Sequence, residues 1–411
     1  MNRYKIVSKI GEGTFSDVMK TRSLKDGNYY ACKKMKQEFE SVDQVNNLRE
    51  IQALRRLGPH PNIVFLHEVI FEQNSGCLAL ICELMDMNIY ELIRGRRYPL
   101  SENKIKNYMY QLCKSLEHIH RNGIFHRDVK PENILIKKDM LKLGDFGSCR
   151  SVYSKQPYTE YISTRWYRAP ECLLTDGYYN YKMDLWSAGC VFFEILSLRP
   201  LFPGSNELDQ ISKIHDIIGT PTQGILRKFK QSRAMSFDFP FKKGTGISHH
   251  IPGISPESLA LMYAMIEYDP DERISAKQAL QHSYFRDIRA HEKKNSSFHR
   301  KTAIAETAGT VGSVNYLWHM ARQARKQKHP PARIRVPSYP VELPKLNPPV
   351  AAKLASYPNT SFQSFFPASD GRLPLLKTLK YIESNPKPEN PEDMKVSLKK
   401  FHLPNIERKG G

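Results

Sequence analysis

The sequence predicts an α+β protein with its strands first and its helices after. A strand-rich part occupies residues 1–85, a larger helical part residues 86–288, and a basic, proline-containing tail residues 289–411. Three observations carry this division. Short apolar runs punctuated by glycine fill the first part. Apolar residues at helical spacing dominate the second. In the third both patterns fade while lysine, arginine and proline accumulate.

Within the first part, "KIVSKI", "DVMKT" and "YYACKKM" read as short strands, with Gly11, Gly13 and Gly27 marking the turns. "QVNNLREIQALRRL" puts Val45, Leu48, Ile51 and Leu54 on one side, which predicts a helix after three strands. "CLALICEL" follows as a buried strand. From Ser101 onward Ile105, Tyr108, Met109, Leu112, Leu116 and Ile119 keep helical spacing, and the chain up to Phe285 continues mostly helical with loops.

Residues 289–411 hold 22 lysines and arginines against 9 acids, 14 of the 27 prolines and no cysteine. A segment so charged and so poor in apolar periodicity cannot bury enough surface to offset chain entropy, so the expectation is a largely disordered tail. Within it "RQARKQK" (Arg322–Lys328) reads as a solvated charge run, with nuclear import or an acidic-surface contact as the functional alternative. "NYLWHMARQARKQK" has the makings of an amphipathic helix on a partner or membrane, and "LPKLNPPV" and "NPKPENPED" of extended docking segments. There is no internal repeat.

With 411 residues and 40% hydrophobic content, the chain exceeds the usual size of one core, so at least two folding units are expected. Its 62 lysines and arginines against 42 acids suit acidic partners such as phosphates, nucleic acid or anionic surfaces. The seven cysteines all fall in the first half and form no CxxC pair, which argues for a reduced intracellular protein without a zinc tetrad. "MNRYKIVSKIGEG" lacks the apolar core of a signal peptide and no run reaches the length of a membrane span, so a soluble protein is expected.

The chemistry concentrates in five motifs. "FHRDVKPENIL" (Phe125–Leu135) fits H-R-D-x-x-x-x-N, with Asp128 and Asn133 at the required separation. "LGDFGSCR" supplies Asp145-Phe146-Gly147 and "RAPE" supplies Ala169-Pro170-Glu171. Upstream, "GEGTFSDV" (Gly11–Val18) occupies the turn between the first two strands, "YACK" puts Lys33 on the third, and Glu50 sits within the following helix. A lone glycine-rich turn is usually just a hairpin; five motifs in order are not chance. Over its first 285 or so residues the chain resembles a eukaryotic protein kinase, which implies a bilobal fold with a small β-rich lobe and a larger helical one.

That resemblance implies ATP and Mg2+ as cofactors and gives each residue a role. Phosphoryl transfer needs alignment and charge neutralisation more than covalent help. Gly11 and Gly13 would let backbone amides approach the phosphates, within a binding stretch of Ile10, Gly11, Glu12, Gly13, Thr14, Phe15, Ser16, Asp17 and Val18, with Ile10 and Val18 on the adenine. Glu83 and Met85 complete the nucleotide set. Lys33, paired with Glu50, would hold the α- and β-phosphates; Asn133 and Asp145 would hold magnesium; Asp128 would accept the substrate proton; and Lys130 would meet the γ-phosphate. Ser16 replaces the third glycine of the loop, which implies a tuned nucleotide affinity. Strand alternation selects Lys33 over its neighbour Lys34. Asp184, Arg273 and His126 match architectural positions of the family: a brace behind the catalytic loop, the buried partner of Glu171, and a packed loop residue.

"KQPYTEYISTRWYRAPE" (Lys155–Glu171) carries Thr159-Glu160-Tyr161, where MAP kinases carry a T-x-Y pair. By that resemblance phosphate on Thr159 would be collected by Arg49, Arg127 and Arg150, and phosphate on Tyr161 by Arg165 and Arg168, ordering the segment. The bland alternative is a solvated polar loop. "NLREIQALRRL", "STRWYRAPE" and "LFPGSNELDQISKIHDIIGTP" resemble the group of cyclin-dependent and MAP kinases, whose members usually phosphorylate Ser or Thr followed by proline. Protein substrates with Ser/Thr-Pro sites are therefore expected, with activation by an upstream kinase or by autophosphorylation. Related MAK-type kinases act without a cyclin, which weighs against one here; cytoplasm and nucleus are the expected compartments, with the cilium implied only by that resemblance. Two other classes stand against this reading: a catalytically silent kinase-fold scaffold, opposed by the complete set of motif residues, and a nucleic-acid binder, which the charge suggests but no motif supports.

Overall fold

A computed structural model of the chain describes residues 3–159, 164–229 and 239–294. Tyr161 and the tail segments singled out above lie outside the described residues. The first lobe is one antiparallel sheet built from β1 (Tyr4–Glu12), β2 (Ser16–Ser23), β3 (Tyr29–Met35), β4 (Leu66–Glu72) and β5 (Cys77–Glu83), in the order β1-β2-β3-β5-β4. Register sets the faces. Val18 pairs with Lys33 and Lys33 with Leu80, whereas Asp17 pairs with the exposed Lys34. Directly paired residues share a face, so Lys33 and Val18 look one way and Lys34 and Asp17 the other.

The helix expected after β3 is broken in two, α1 (Val42–Asn46) and α2 (Arg49–Leu57). Ser41 caps α1 by accepting the Gln44 amide, and Asn47 ends it. Leu48 then takes an extended ψ of 126° before α2 begins. The break leaves Val45 and Ile51 in one small core with Leu78 and Leu80 of β5, so α2 lies against the sheet with Glu50 buried towards Lys33. β4 was not among the expected strands and closes the sheet.

After β5, β6 (Met87–Asn88) leads into α3 (Ile89–Ile93), which is capped reciprocally by Asn88 and Glu91, and then α4 (Glu102–Arg121). All six apolar positions expected to face inward on α4 are buried, between 0% and 1% exposed. Against α4 packs a platform of short strands, β7 (Ile124–Phe125), β8 (Ile134–Lys137), β9 (Met140–Leu143) and β10 (Arg150–Ser151). α5 (Pro170–Leu174), α6 (Met183–Ser197), α7 (Glu207–Ile218), α8 (Gln223–Lys228), α9 (Pro256–Met265) and α10 (Ala276–Gln281) complete the second lobe. Helical residues 286–294 follow, and Glu292 there accepts from the Tyr110 hydroxyl at 2.7 Å, fixing the end of the lobe to α4. Among the described residues no helix is long and apolar enough to cross a membrane.

α6 is the axis of this lobe. Every residue from Met183 to Ile195 is buried, and Gly189 allows α9 to approach: a Cβ there would meet Ile266 Cγ2 at 2.6 Å. One acid on α6 is buried without a cation. Burial pushes the Glu194 carboxyl up to about 7, against the hydrogen bond it accepts from the Tyr167 hydroxyl at 2.7 Å. Its value in the unfolded chain is about 4.3, so folding favours the neutral acid. The stability it contributes is therefore complete below about pH 4 and is lost as the pH rises through 7. We expect urea unfolding to show the native protein losing about 3 kcal/mol relative to Glu194→Gln between roughly pH 4 and 8. A constant difference across that window would mean that Glu194 does not titrate there.

Candidate active site

Three charged groups far apart in sequence meet between the lobes. Lys33 Nζ donates to Glu50 at 2.7 and 2.9 Å and to Asp145 Oδ1 at 2.8 Å. Burial works against the Lys33 ammonium, but the Glu50 and Asp145 carboxylates outweigh it and its pKa stands above the ordinary lysine value. Asp145 is held down at about 2: desolvation opposes the charge, and Lys33 overcomes it. Burial pushes the Glu50 carboxyl up, with Lys33 pulling the other way. Lys33 and Asp145 are thus both charged at neutral pH. Asp145 sits at φ 56°, a left-handed conformation rare for a residue with a side chain, and accepts the Gly147 amide.

The second group is the loop around Asp128. Lys130 Nζ lies 2.9 Å from Asp128 Oδ2, and the Asn133 amide donates to the same oxygen at 2.9 Å and to the Asp128 carbonyl at 2.8 Å. Asp128 Oδ1 is buried and accepts no hydrogen bond among the described residues. One carboxylate oxygen is therefore fixed, and the other is left without a hydrogen-bond partner among the described residues. Behind the loop, the fully buried Asp184 accepts the His126 and Arg127 amides, each at 2.8 Å, and His120 Nε2 at 2.8 Å. These bonds hold Arg127 at φ 69°. His126 is packed, its ring edge-on to Phe146 and its Nε2 against the Gly144 carbonyl at 2.9 Å.

Asn133 and Asp145 suit magnesium by chemistry, one amide and one carboxylate oxygen donor. Such a hard cation is usually held by one or two protein oxygens plus phosphate and water. No cluster of three or more His, Cys, Asp or Glu side chains arranged for a metal occurs among the described residues, which is compatible with that mode. The glycine-rich turn lies over this region, with Gly13 N–H donating to the Ser16 carbonyl at 2.8 Å and Thr14 and Phe15 exposed at its tip. Ile10 is exposed and Val18 half-buried on the Lys33 side; Met85 is half-buried, and Glu83 is tied to Lys142 at 2.7 Å.

The activation segment is anchored at Tyr158 and again at Arg165 and Arg168. Tyr158 is buried against Phe125 and Tyr179, and its amide donates to the Gly177 carbonyl at 2.8 Å. Gly177 has φ +89°, and a Cβ there would fall 2.1 Å from the Tyr158 carbonyl oxygen, so only glycine fits. Arg127 donates to the Tyr179 hydroxyl at 2.9 Å, which donates in turn to the Thr159 carbonyl at 2.8 Å. Thr159 itself is exposed. Arg49, Arg127 and Arg150 make no ion pair among the described residues. Burial and the nearby guanidinium groups of Arg49 and Arg127 lower the Arg150 pKa, and Arg150 Nε is buried without a partner. Unbalanced positive charge of this kind fits an anion. Arg165 donates to the Ser205 carbonyl at 3.0 Å, in the loop before α7, and Arg168 lies 3.5 Å from Glu207, the first residue of α7.

Sequence reasoning missed Tyr158, Gly177 and Tyr179, which connect Thr159 to the catalytic loop, and His120, which completes the shell around Asp184. "DGYYN" bears no motif that marks Tyr179. Comparison with known proteins agrees with the geometry. The chain matches the protein kinase domain family over residues 4–285. It is 65% identical to the Homo sapiens "MAPK/MAK/MRK overlapping kinase" over 419 aligned residues, covering 100% of both chains, and 64% identical to its Mus musculus counterpart. It is 42% identical to the Homo sapiens "Serine/threonine-protein kinase MAK" over 287 residues, which is 69% of this chain and 46% of that protein.

Proposed function

The chain belongs to the protein kinase family, and from that premise we propose that it is a serine/threonine kinase that phosphorylates Ser or Thr followed by proline, switched by phosphate on Thr159 and Tyr161. The observation that carries the catalytic part is the meeting of Lys33, Glu50 and Asp145 beside an Asp128 with one open oxygen. Lys33 would orient the α- and β-phosphates of ATP, and Asp128 Oδ1 would take the proton of the attacking hydroxyl. Lys130, already 2.9 Å from Asp128, would neutralise charge on the transferred group. Asn133 and Asp145 would hold magnesium, which would supply neutralisation of the phosphate charge.

The switch is supported by Arg49, Arg127 and Arg150, three guanidinium groups near one another with no carboxylate paired to them among the described residues. Phosphate on Thr159 would supply the missing charge and strengthen the existing link through Tyr179. Arg165 and Arg168 would receive the Tyr161 phosphate by exchanging their contacts with the Ser205 carbonyl and Glu207.

The test is a peptide assay on protein whose phosphosites have been mapped by mass spectrometry. Transfer to a Ser-Pro peptide should exceed transfer to its Ser-Ala counterpart. Phosphatase treatment should lower activity by about tenfold or more as phosphate leaves Thr159 and Tyr161. Full activity with both hydroxyls bare would sink the switch and leave the kinase standing; no turnover in the fully phosphorylated protein would favour a scaffold.

A further inference from the structure

The glycine-rich turn carries more charge than a phosphate cradle needs. Lys9 Nζ lies 2.7 Å from Glu12 and 3.1 Å from Asp17. Lys36 Nζ lies 3.2 Å from Glu12 and 3.8 Å from Asp17, and donates to the Gly13 carbonyl at 2.9 Å. The Lys36 amide also donates to the Phe15 carbonyl at 2.9 Å. One cation just past the end of β3 thus reaches the end of β1, the turn and the start of β2.

Register shows where this network lies. Glu12 pairs with Asp17 and Asp17 with Lys34, while Val18 pairs with Lys33. Glu12 and Asp17 therefore sit on the face opposite Lys33 and the cleft; Lys36 is two residues beyond Lys34, and Lys9 pairs with Met19, two residues beyond Asp17. The four side chains form a clasp on the outside of the hairpin. A carbonyl turned towards an ammonium on that side does not face the phosphates, whose charge it would repel.

We propose that Lys36, seconded by Lys9, is a positioning residue for the nucleotide, holding the glycine-rich turn over the cleft from its outer face. This rests on the kinase reading above. Between Glu12 and Ser16 the turn has few backbone bonds of its own, so the clasp restricts how far it lifts. Three of its four side chains are exposed, Lys9 to 44%, Lys36 to 40% and Glu12 to 61%, with Asp17 half-buried, so dissolved salt screens much of it.

The experiment titrates the full-length chain with a fluorescent ATP analogue and magnesium, at about 50 mM and about 500 mM NaCl. Lys36→Met should weaken binding about two- to fivefold at low salt, Lys36→Arg should restore it, and the deficit of Lys36→Met should shrink to within about twofold at high salt. Wild-type affinity in Lys36→Met overturns the proposal. So does a deficit that salt leaves untouched, or an Lys36→Arg protein as weak as Lys36→Met, since either would reflect a distorted fold. A wild-type chain that fails to bind the analogue overturns the kinase reading itself; one that binds it, with the variants equal to it, removes only the clasp.

Discussion

Asp128→Asn is expected to lower phosphoryl transfer by about 10²–10⁴-fold while ATP binding and thermal stability stay close to wild type. The side chains are nearly isosteric, and the oxygen held by Lys130 and Asn133 has a counterpart in the amide. What is lost is basicity at the carboxylate oxygen that accepts nothing from the described residues, Asp128 Oδ1. Because Asp184 fixes the loop through the neighbouring amides, the variant should keep its backbone. The test measures kcat for a Ser-Pro peptide, ATP affinity and Tm on one preparation. Near-normal kcat would remove Asp128 as the base; a parallel fall in Tm would show that the substitution damages the loop instead. The same protein expressed alone reports the source of the Thr159 phosphate: none is expected there if the chain phosphorylates itself.

The candidate catalytic residues were legible because their proposed chemistry demands fixed residue types at fixed spacing. Asp128 and Asn133 sit within one short loop, and strand alternation separates Lys33 from Lys34, a distinction the register reproduces. Three features were not legible, each for a physical reason. The break between α1 and α2 is hidden because Val45, Leu48, Ile51 and Leu54 keep their spacing across it, and the buried side is preserved. β4 runs "LHEVIFE", mostly half-buried residues without a clean alternation, so no period-two signal marks it. Tyr179 acquires its role only through Arg127, which lies 52 positions away in the chain. Local pattern reports what a segment does by itself, and these three depend on what it meets.

Arg273→Ala is expected to cost about 3–5 kcal/mol of stability, the largest structural loss a single substitution should produce here. Arg273 and Glu171 are 0% and 1% exposed and paired through two hydrogen bonds of 2.6 and 2.9 Å. The guanidinium also donates to the Glu267, Lys182 and Tyr268 carbonyls and lies over the Trp186 ring, 5.2 Å from its centre. Removing it leaves a buried carboxylate without its cation, takes a donor from the Glu267 and Tyr268 carbonyls (the Lys182 carbonyl keeps the Leu185 and Trp186 amides), and leaves an empty volume beside the largest buried side chain. The loss should appear as a Tm lower by roughly 6–15 °C. Glu171 is the first acid of α5, immediately after the activation segment, so the pair ties that segment to the loop after α9 and part of the activity should fall with it. Replacing both partners, Arg273→Met with Glu171→Leu, separates the two contributions. If the buried charge dominates, the double variant recovers much of the stability that Arg273→Ala loses, because neither ion remains uncompensated. If it is no more stable than Arg273→Ala, the carbonyl contacts and the packing on Trp186 are what hold this part of the fold.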